Sequence, residues 1–395
     1  MAGTVERPKS KEILDYCIRT LMDDNRYTLK LQKYVLSNGG ICRGFPFSKA
    51  QIITEPLFHN IKLNEVTQQK LMKTESFTEI FLTVFDIVMV YVQQNKKPEN
   101  EELERTFDQL LDYLSNIKSA EERLKCDRNG MTRVTVHYLA ALSVYGDFRV
   151  NKFTKNKIDR CSCPCAQRIL HTDTNIGNPH TWYGKPDVLI GRFDGEPEFV
   201  CPVAVTSLSS ENGSDEAMCS SSSKTLNEDS PHGKTQAEVQ LSSLETELPQ
   251  VQAQTIVFSF YQRKRHPEVG LIPCIAVSKT HIQFHFYDCE KDIYLMSNEL
   301  PLFTGEDDRL NCVTIMATWL VVNYKQLITG VTNEMENESR FGLLNAFSPE
   351  AVEYYKSDIV MSPFETTNYN AQKDDRILTK RRKSASVKRL KLFES

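Results

Sequence analysis

The sequence predicts an α/β (α+β) protein, and three patterns predict it. The first third carries apolar residues at helical spacing. From residue 169 onward, short β-type runs alternate with further helical patterns. Between them lies residues 207–248, Ser-rich, acidic and nearly free of bulky apolar side chains. Such a stretch cannot bury enough surface to offset the entropy of ordering, and it reads as a disordered insertion within the core.

Residues 10–37 place Ile13, Leu14, Cys17, Ile18 and Leu21 on one helical stripe that stops at Asn38-Gly39-Gly40, which predicts an amphipathic helix or helix pair. Residues 61–94 and 100–124 repeat the pattern, with Phe107, Leu110, Leu111, Leu114 and Ile117 forming a stripe. Together they make a helical N-terminal region, 10–125, whose stripes read as core packing. The most apolar run, 80–92, contains Asp86 and follows Glu79. Both charges would be costly at a bilayer centre, so the run reads as a buried helix and no membrane partner is expected.

The α/β core is expected over 130–330. TRVTVHYLAALSVYGDF (132–148) reads as a helix, and QRILHTD, KPDVLIGRF and EFVCPVAVT read as strands. PQVQAQTIVFSFYQRKR (249–265) suits a helix packed on a sheet. LIPCIAVS and THIQFHFYDCEKDIYLM read as a strand pair with polar turn residues, and 308–328 as a further helix. Residues 346–395 read as a flexible C-terminal tail.

Composition excludes little by itself. Lys plus Arg number 48 and Asp plus Glu 52, a formal charge of -4 that argues for neither nucleic acid nor an acidic partner. Eleven cysteines without a secretory leader in MAGTVERPKSKEILDY fit reduced thiols in a cytosolic or nuclear protein. There is no Gly-rich phosphate loop and no nucleophile elbow.

Pro186-Asp187 opens the strand GKPDVLIG, FVCPVAVTS follows it, and Gln254 precedes Phe258 by four residues in the helix after that. This set, in the order helix, three strands, helix, strand, resembles the PD-(D/E)XK nuclease-like superfamily, and its helix is similar to the Gln-x-x-x-Tyr helix of the RecB-like and Cas4-like branch. The resemblance covers about half the chain. It implies a restriction-endonuclease-like mixed sheet flanked by helices, with Asp187 and Gln254 as site residues.

Phosphodiester hydrolysis needs a hard cation such as Mg²⁺ held by carboxylates, and a lysine to orient water or balance charge. In that family the second carboxylate and the lysine stand two residues apart on the third strand, both pointing at the metal. Aligned so, this chain offers Ala204 and Thr206. Glu198 shares parity with Ala204 but lies about 20 Å along a regular strand. The expected site is therefore a remnant: Asp187 and Gln254 without their partners, and no cofactor unless a relocated carboxylate restores Mg²⁺. The plain structural alternative makes Asp187 a turn residue, since Gly-Lys-Pro-Asp is good turn chemistry.

Cys161, Cys163, Cys165 and His171 are zinc-ligand types. Alternate residues on an extended chain face opposite ways, however, so these thiols are expected to sit reduced in a packed loop without zinc. Trp182 and Tyr183 read as core aromatics at a strand start.

The tail carries two basic clusters, Lys380-Arg381-Arg382-Lys383 and Lys388-Arg389, which read as a nuclear localisation signal bound by an import carrier. Lys388, Leu390, Leu392 and Phe393 resemble a cyclin-docking motif. Ser230-Pro231, Ser348-Pro349 and Ser362-Pro363 are proline-directed phosphorylation candidates in segments read as flexible, so a cyclin-dependent kinase is a candidate partner. The expected function is a nuclear protein with an inactive nuclease-like core that binds nucleic acid (DNA or RNA) or protein. The alternatives are an active Mg²⁺-dependent nuclease in which another carboxylate partners Asp187, and a nuclear signalling scaffold with an unrelated α/β core.

Overall fold

The computed structural model describes residues 9–22, 29–37, 44–62, 68–72, 74–126, 134–151, 160–161, 165–166, 169–193, 198–205, 243–305, 309–337 and 340–361. The basic tail and nearly all of the Ser-rich insertion lie outside these residues. So do Cys163, Thr206, Ser230 and Ser362.

Chain order begins with helix α1 (Lys9–Met22) and strand β1 (Lys30–Leu36). Short strands β2 (Thr54–Pro56), β3 (Phe58–Lys62), β4 (Gln68–Met72) and β5 (Thr74–Ser76) follow. Helices α2 (Leu82–Gln94), α3 (Glu101–Ser115), α4 (Ile117–Cys126) and α5 (134–142) come next. Then come β6 (Asp147–Asn151), β7 (His171–Thr172), β8 (Ile176–Gly177), β9 (Tyr183–Gly184), β10 (Val188–Arg192) and β11 (Glu198–Val205). After the insertion the chain forms α6 (Leu248–Arg265), β12 (Leu271–Val277), β13 (His281–Asp288), β14 (Ile293–Ser297), α7 (Cys312–Val322) and α8 (Pro349–Ser357).

The main sheet runs β2-β1-β14-β13-β12-β11-β10-β6-β7. Its centre is mixed: β6, β10 and β11 pair antiparallel in turn, β11 pairs parallel with β12, and β12 pairs antiparallel with β13. The parallel step needs a crossover, and α6 supplies it.

Alternation along these strands sorts the two faces. Val188, Ile190, Cys201, Val203, Ile275 and Val277 join the large core made with α1, α2, α3 and α7. On the other face Ala204, Cys274 and Ala276 pack with Leu244 and Val251 as a separate buried cluster. Small side chains there let α6 approach the sheet closely, and every residue of α6 from Val251 to Gln262 is buried. Arg263, Lys264 and Arg265 close its last turn, where cations suit the helix dipole. On the opposite layer, Trp319 Nε1 donates to the Thr106 carbonyl at 3.0 Å, tying α7 to α3. Asn323, buried beyond the end of α7, accepts from Val144 N at 2.7 Å and donates to Leu142 O at 2.9 Å.

The α/β class is as the sequence predicts, but helix was over-read near the N-terminus. Residues 30–36 are a strand, not the end of a helix pair, and they pair with β14. Lys33 disguises the pattern: it is buried at an inward position, its ammonium donating to the Met335 carbonyl at 2.6 Å. The stretch from 61 to 76, read as helix, instead holds parts of β3, β4 and β5, and helix starts only at Phe77. Asp147 and Phe148, expected to close a helix, instead open β6 after a turn at Gly146, whose φ is +60°. Among the described residues of QRILHTD, 169–173, only His171 and Thr172 are strand, the edge strand β7, and β6 is the strand beside β10. Phe77–Gln94 is one helical stretch apolar and long enough to cross a membrane by length and composition. Phe77, Ile80, Phe81, Val84, Phe85 and Val88 from it pack into the core. Ser348, read as part of a flexible tail, caps α8 by accepting from Ala351 N at 3.2 Å.

Candidate functional site

Asp187 stands immediately before β10. Val188 pairs with Val203 and the strands are antiparallel, so the residue facing Asp187 is Ala204. Ala204, the residue expected at the acid position, thus lies across from Asp187 on the neighbouring strand. Neighbouring backbone is anchored on both sides: Asn151 N donates to the Asp187 carbonyl at 2.9 Å, and Thr174 Oγ1 donates to the Pro186 carbonyl at 2.6 Å.

The carboxylate itself is occupied. Asp187 Oδ2 accepts from Val205 N at 2.9 Å, holding the end of β11 where the ladder runs out. The residue is partly exposed, but its carboxyl is enclosed by protein atoms. That burial pushes its pKa up from 3.8 to about 6, while the hydrogen bonds from Val205 N–H and its own N–H oppose the rise.

Across the strand, the position where an acid would complete a metal site holds a methyl group in an apolar cluster. Ala204, Leu244, Val251, Cys274 and Ala276 are all 0–2 % exposed. Thr206, the residue at the lysine position, lies outside the described residues. Lys185, two residues before Asp187, pairs with Asp173 at 3.5 Å. Gln254 lies on α6 as expected, fully buried, and its Nε2 has no hydrogen-bond acceptor. Gln262, two turns on, has neither amide atom paired. Buried amides left so are unusual.

One carboxylate near Asp187 was not foreseen. Glu247 occupies the N-cap position of α6. Its pKa is raised first by its own burial and then by the charge of Asp187, so the two acids share one electrostatic environment. Pro249 in the first turn marks the helix start in the sequence, and from that signal Glu247 could have been placed at the helix mouth. These residues do not fit a Mg²⁺ site well: one Asp187 oxygen serves a backbone N–H, and the facing wall is apolar. A cleft of about 890 Å³ lies elsewhere, between α1, α4 and residues 300–314, lined by Lys118, Glu121, Glu122 and Arg309 among others.

The cysteine cluster differs from expectation in its imidazole. Cys161 and Cys165 converge on His137 of α5, not on His171, which begins the edge strand β7. His137 is carried on a π turn of α5 at Thr135–Leu139, and Ala166 adopts φ +45° just after Cys165. No family model, curated protein or solved structure matches this chain.

Proposed function

We propose that this chain is a PD-(D/E)XK-like protein that has lost hydrolysis and works by binding, in the nucleus, with nucleic acid as its partner. The observation that carries the loss is the Ala204 position: directly opposite Asp187, it belongs to a dry apolar cluster, while the Asp187 carboxylate caps Val205 N–H. Two hard ligands at one point are the minimum for a phosphodiester-cleaving cation, and this wall supplies a methyl group instead. The family assignment is supported by element order. With the two-residue strands β7, β8 and β9 set aside, α5, β6, β10, β11, α6 and β12 run as helix, three strands, helix, strand, with Pro186-Asp187 just before the second of those strands and Gln254 on the helix after the third. The basic clusters at 380–383 and 388–389 support nuclear import and add cationic charge for phosphate.

Binding is tested by fluorescence anisotropy of the full chain with labelled single- and double-stranded DNA and RNA. Affinity is expected to weaken steeply with salt and to be the same in EDTA as in Mg²⁺. Binding that appears only with Mg²⁺, or none to any of the four, would overturn this reading. The charge coupling between Asp187 and Glu247 favours a second reading, an active nuclease whose second carboxylate has moved to the mouth of α6.

A further inference from the structure

We propose that His137, Cys161 and Cys165 form a structural zinc site that staples α5 to the segment between β6 and the edge strand β7. Their ligand atoms, His137 Nε2 and the two sulfurs, all lie within 4.8 Å of one another. Nε2 stands 3.0 Å from Cys161 Sγ and 3.8 Å from Cys165 Sγ. A tetrahedral zinc with ordinary Zn–S and Zn–N bonds separates nitrogen from sulfur by about 3.6 Å, which falls between the two observed distances. Imidazole with two thiolates is a donor set that suits zinc, unlike the oxygen ligands Mg²⁺ requires.

Two features of the backbone point the same way. His137 sits in the π turn of α5, a single widened turn of the kind that re-aims a side chain at functional positions. Its carbonyl takes a hydrogen bond from the Tyr113 hydroxyl at 3.4 Å. Ala166 holds a left-handed φ of +45°, where a side chain is disfavoured, immediately after the second thiol. Strain of that kind persists where surrounding bonds over-determine the chain, and two metal–sulfur bonds would do so. Cys161 is buried and Cys165 exposed, so the metal would lie at the surface with one open flank. The fourth position is open to water, as at a three-ligand zinc site. The site is independent of the nuclease-like reading: it needs neither Asp187 nor a nucleic acid.

Full-length protein, purified without a metal-chelating column, is analysed for zinc by plasma mass spectrometry and then exchanged with Co²⁺. One zinc per chain is expected, with a thiolate-to-cobalt charge-transfer band whose intensity counts two thiolates. The double variant Cys161→Ser/Cys165→Ser is expected to lose both zinc and the band. Because the first measurement uses the unaltered chain, a variant that fails to fold does not decide the matter. Absence of zinc together with no cobalt band would overturn the proposal. So would a disulfide between Cys161 and Cys165 in the protein as purified under reducing conditions, or rapid stoichiometric alkylation of Cys161 that added Zn²⁺ does not slow, which would make the His137–Cys161 contact a reactive thiol pair instead.

Discussion

Asp187→Asn is expected to stabilise the protein by about 1–3 kcal/mol at pH 7.5 and to leave its stability unchanged near pH 4. In the folded chain, burial raises the Asp187 carboxyl from 3.8 to about 6. Between those values the native state holds a proton that the unfolded chain has released. Stability therefore falls as pH rises through that window, and the whole penalty is present above pH 6. Asparagine carries no charge, and its Oδ1 can still accept from Val205 N. The residue's partial exposure argues for the lower half of the range. His285 works in the opposite sense: burial lowers its pKa from 6.5 to about 3, so acid favours the unfolded chain, which takes the proton first. That effect is common to both proteins and cancels in their difference. Urea unfolding of the pair at four or five pH values measures it. A variant weaker than the parent at pH 7.5 would mean that the ionised carboxylate contributes favourably, as a ligand would.

Asp292→Ala is expected to cost about 3–5 kcal/mol, the largest loss anticipated from a single side chain here. Asp292 lies in the turn between β13 and β14 and is 1 % exposed. Its Oδ1 accepts from the Tyr287 hydroxyl at 2.8 Å, and its Oδ2 accepts from Gly342 N at 3.0 Å and from Leu344 N at 3.4 Å. Its carbonyl accepts from Phe341 N at 2.6 Å. Truncation would strand three donors, and alanine would also have to adopt φ +55°. The aromatic group of Tyr287, Tyr294 and Phe341, with ring centroids 5.1–6.0 Å apart, depends on the same clamp. Asp292→Asn keeps two acceptor roles and tolerates the left-handed backbone, so it is expected to cost less than half as much. Equal losses from the two variants would show that charge, not hydrogen-bond geometry, dominates. Guanidinium unfolding with far-ultraviolet dichroism separates them.

Strands buried on both faces were legible because their apolar residues are continuous and bounded by turn chemistry, as in Val188-Leu189-Ile190 and Leu271–Val277. Ala204 was singled out by laying the second strand against the nuclease-like pattern, and the sheet places it across from Asp187. Strands at the other end of the sheet were hidden: Lys33 fills a core position by reaching a carbonyl, and Thr74–Ser76 has no apolar residue to count. Glu247 was missed because a long Ser-rich insertion separates it from β11 in sequence, and strand spacing cannot be counted across it. His137 was missed for a different reason. A π turn and a left-handed alanine bring it to the thiols, and neither leaves a mark in residue type.

The central claim, a nuclease-like core without hydrolysis, is tested most directly by incubating the full chain with supercoiled and linear DNA, and with RNA, in Mg²⁺ and in Mn²⁺. The protein and its Asp187→Asn and Glu247→Gln variants are run side by side at equal concentration. The account predicts no product above the buffer background from any of the three. Cleavage by the parent chain that disappears in EDTA and in both variants would contradict it, and would make Asp187 and Glu247 the carboxylates of a working site.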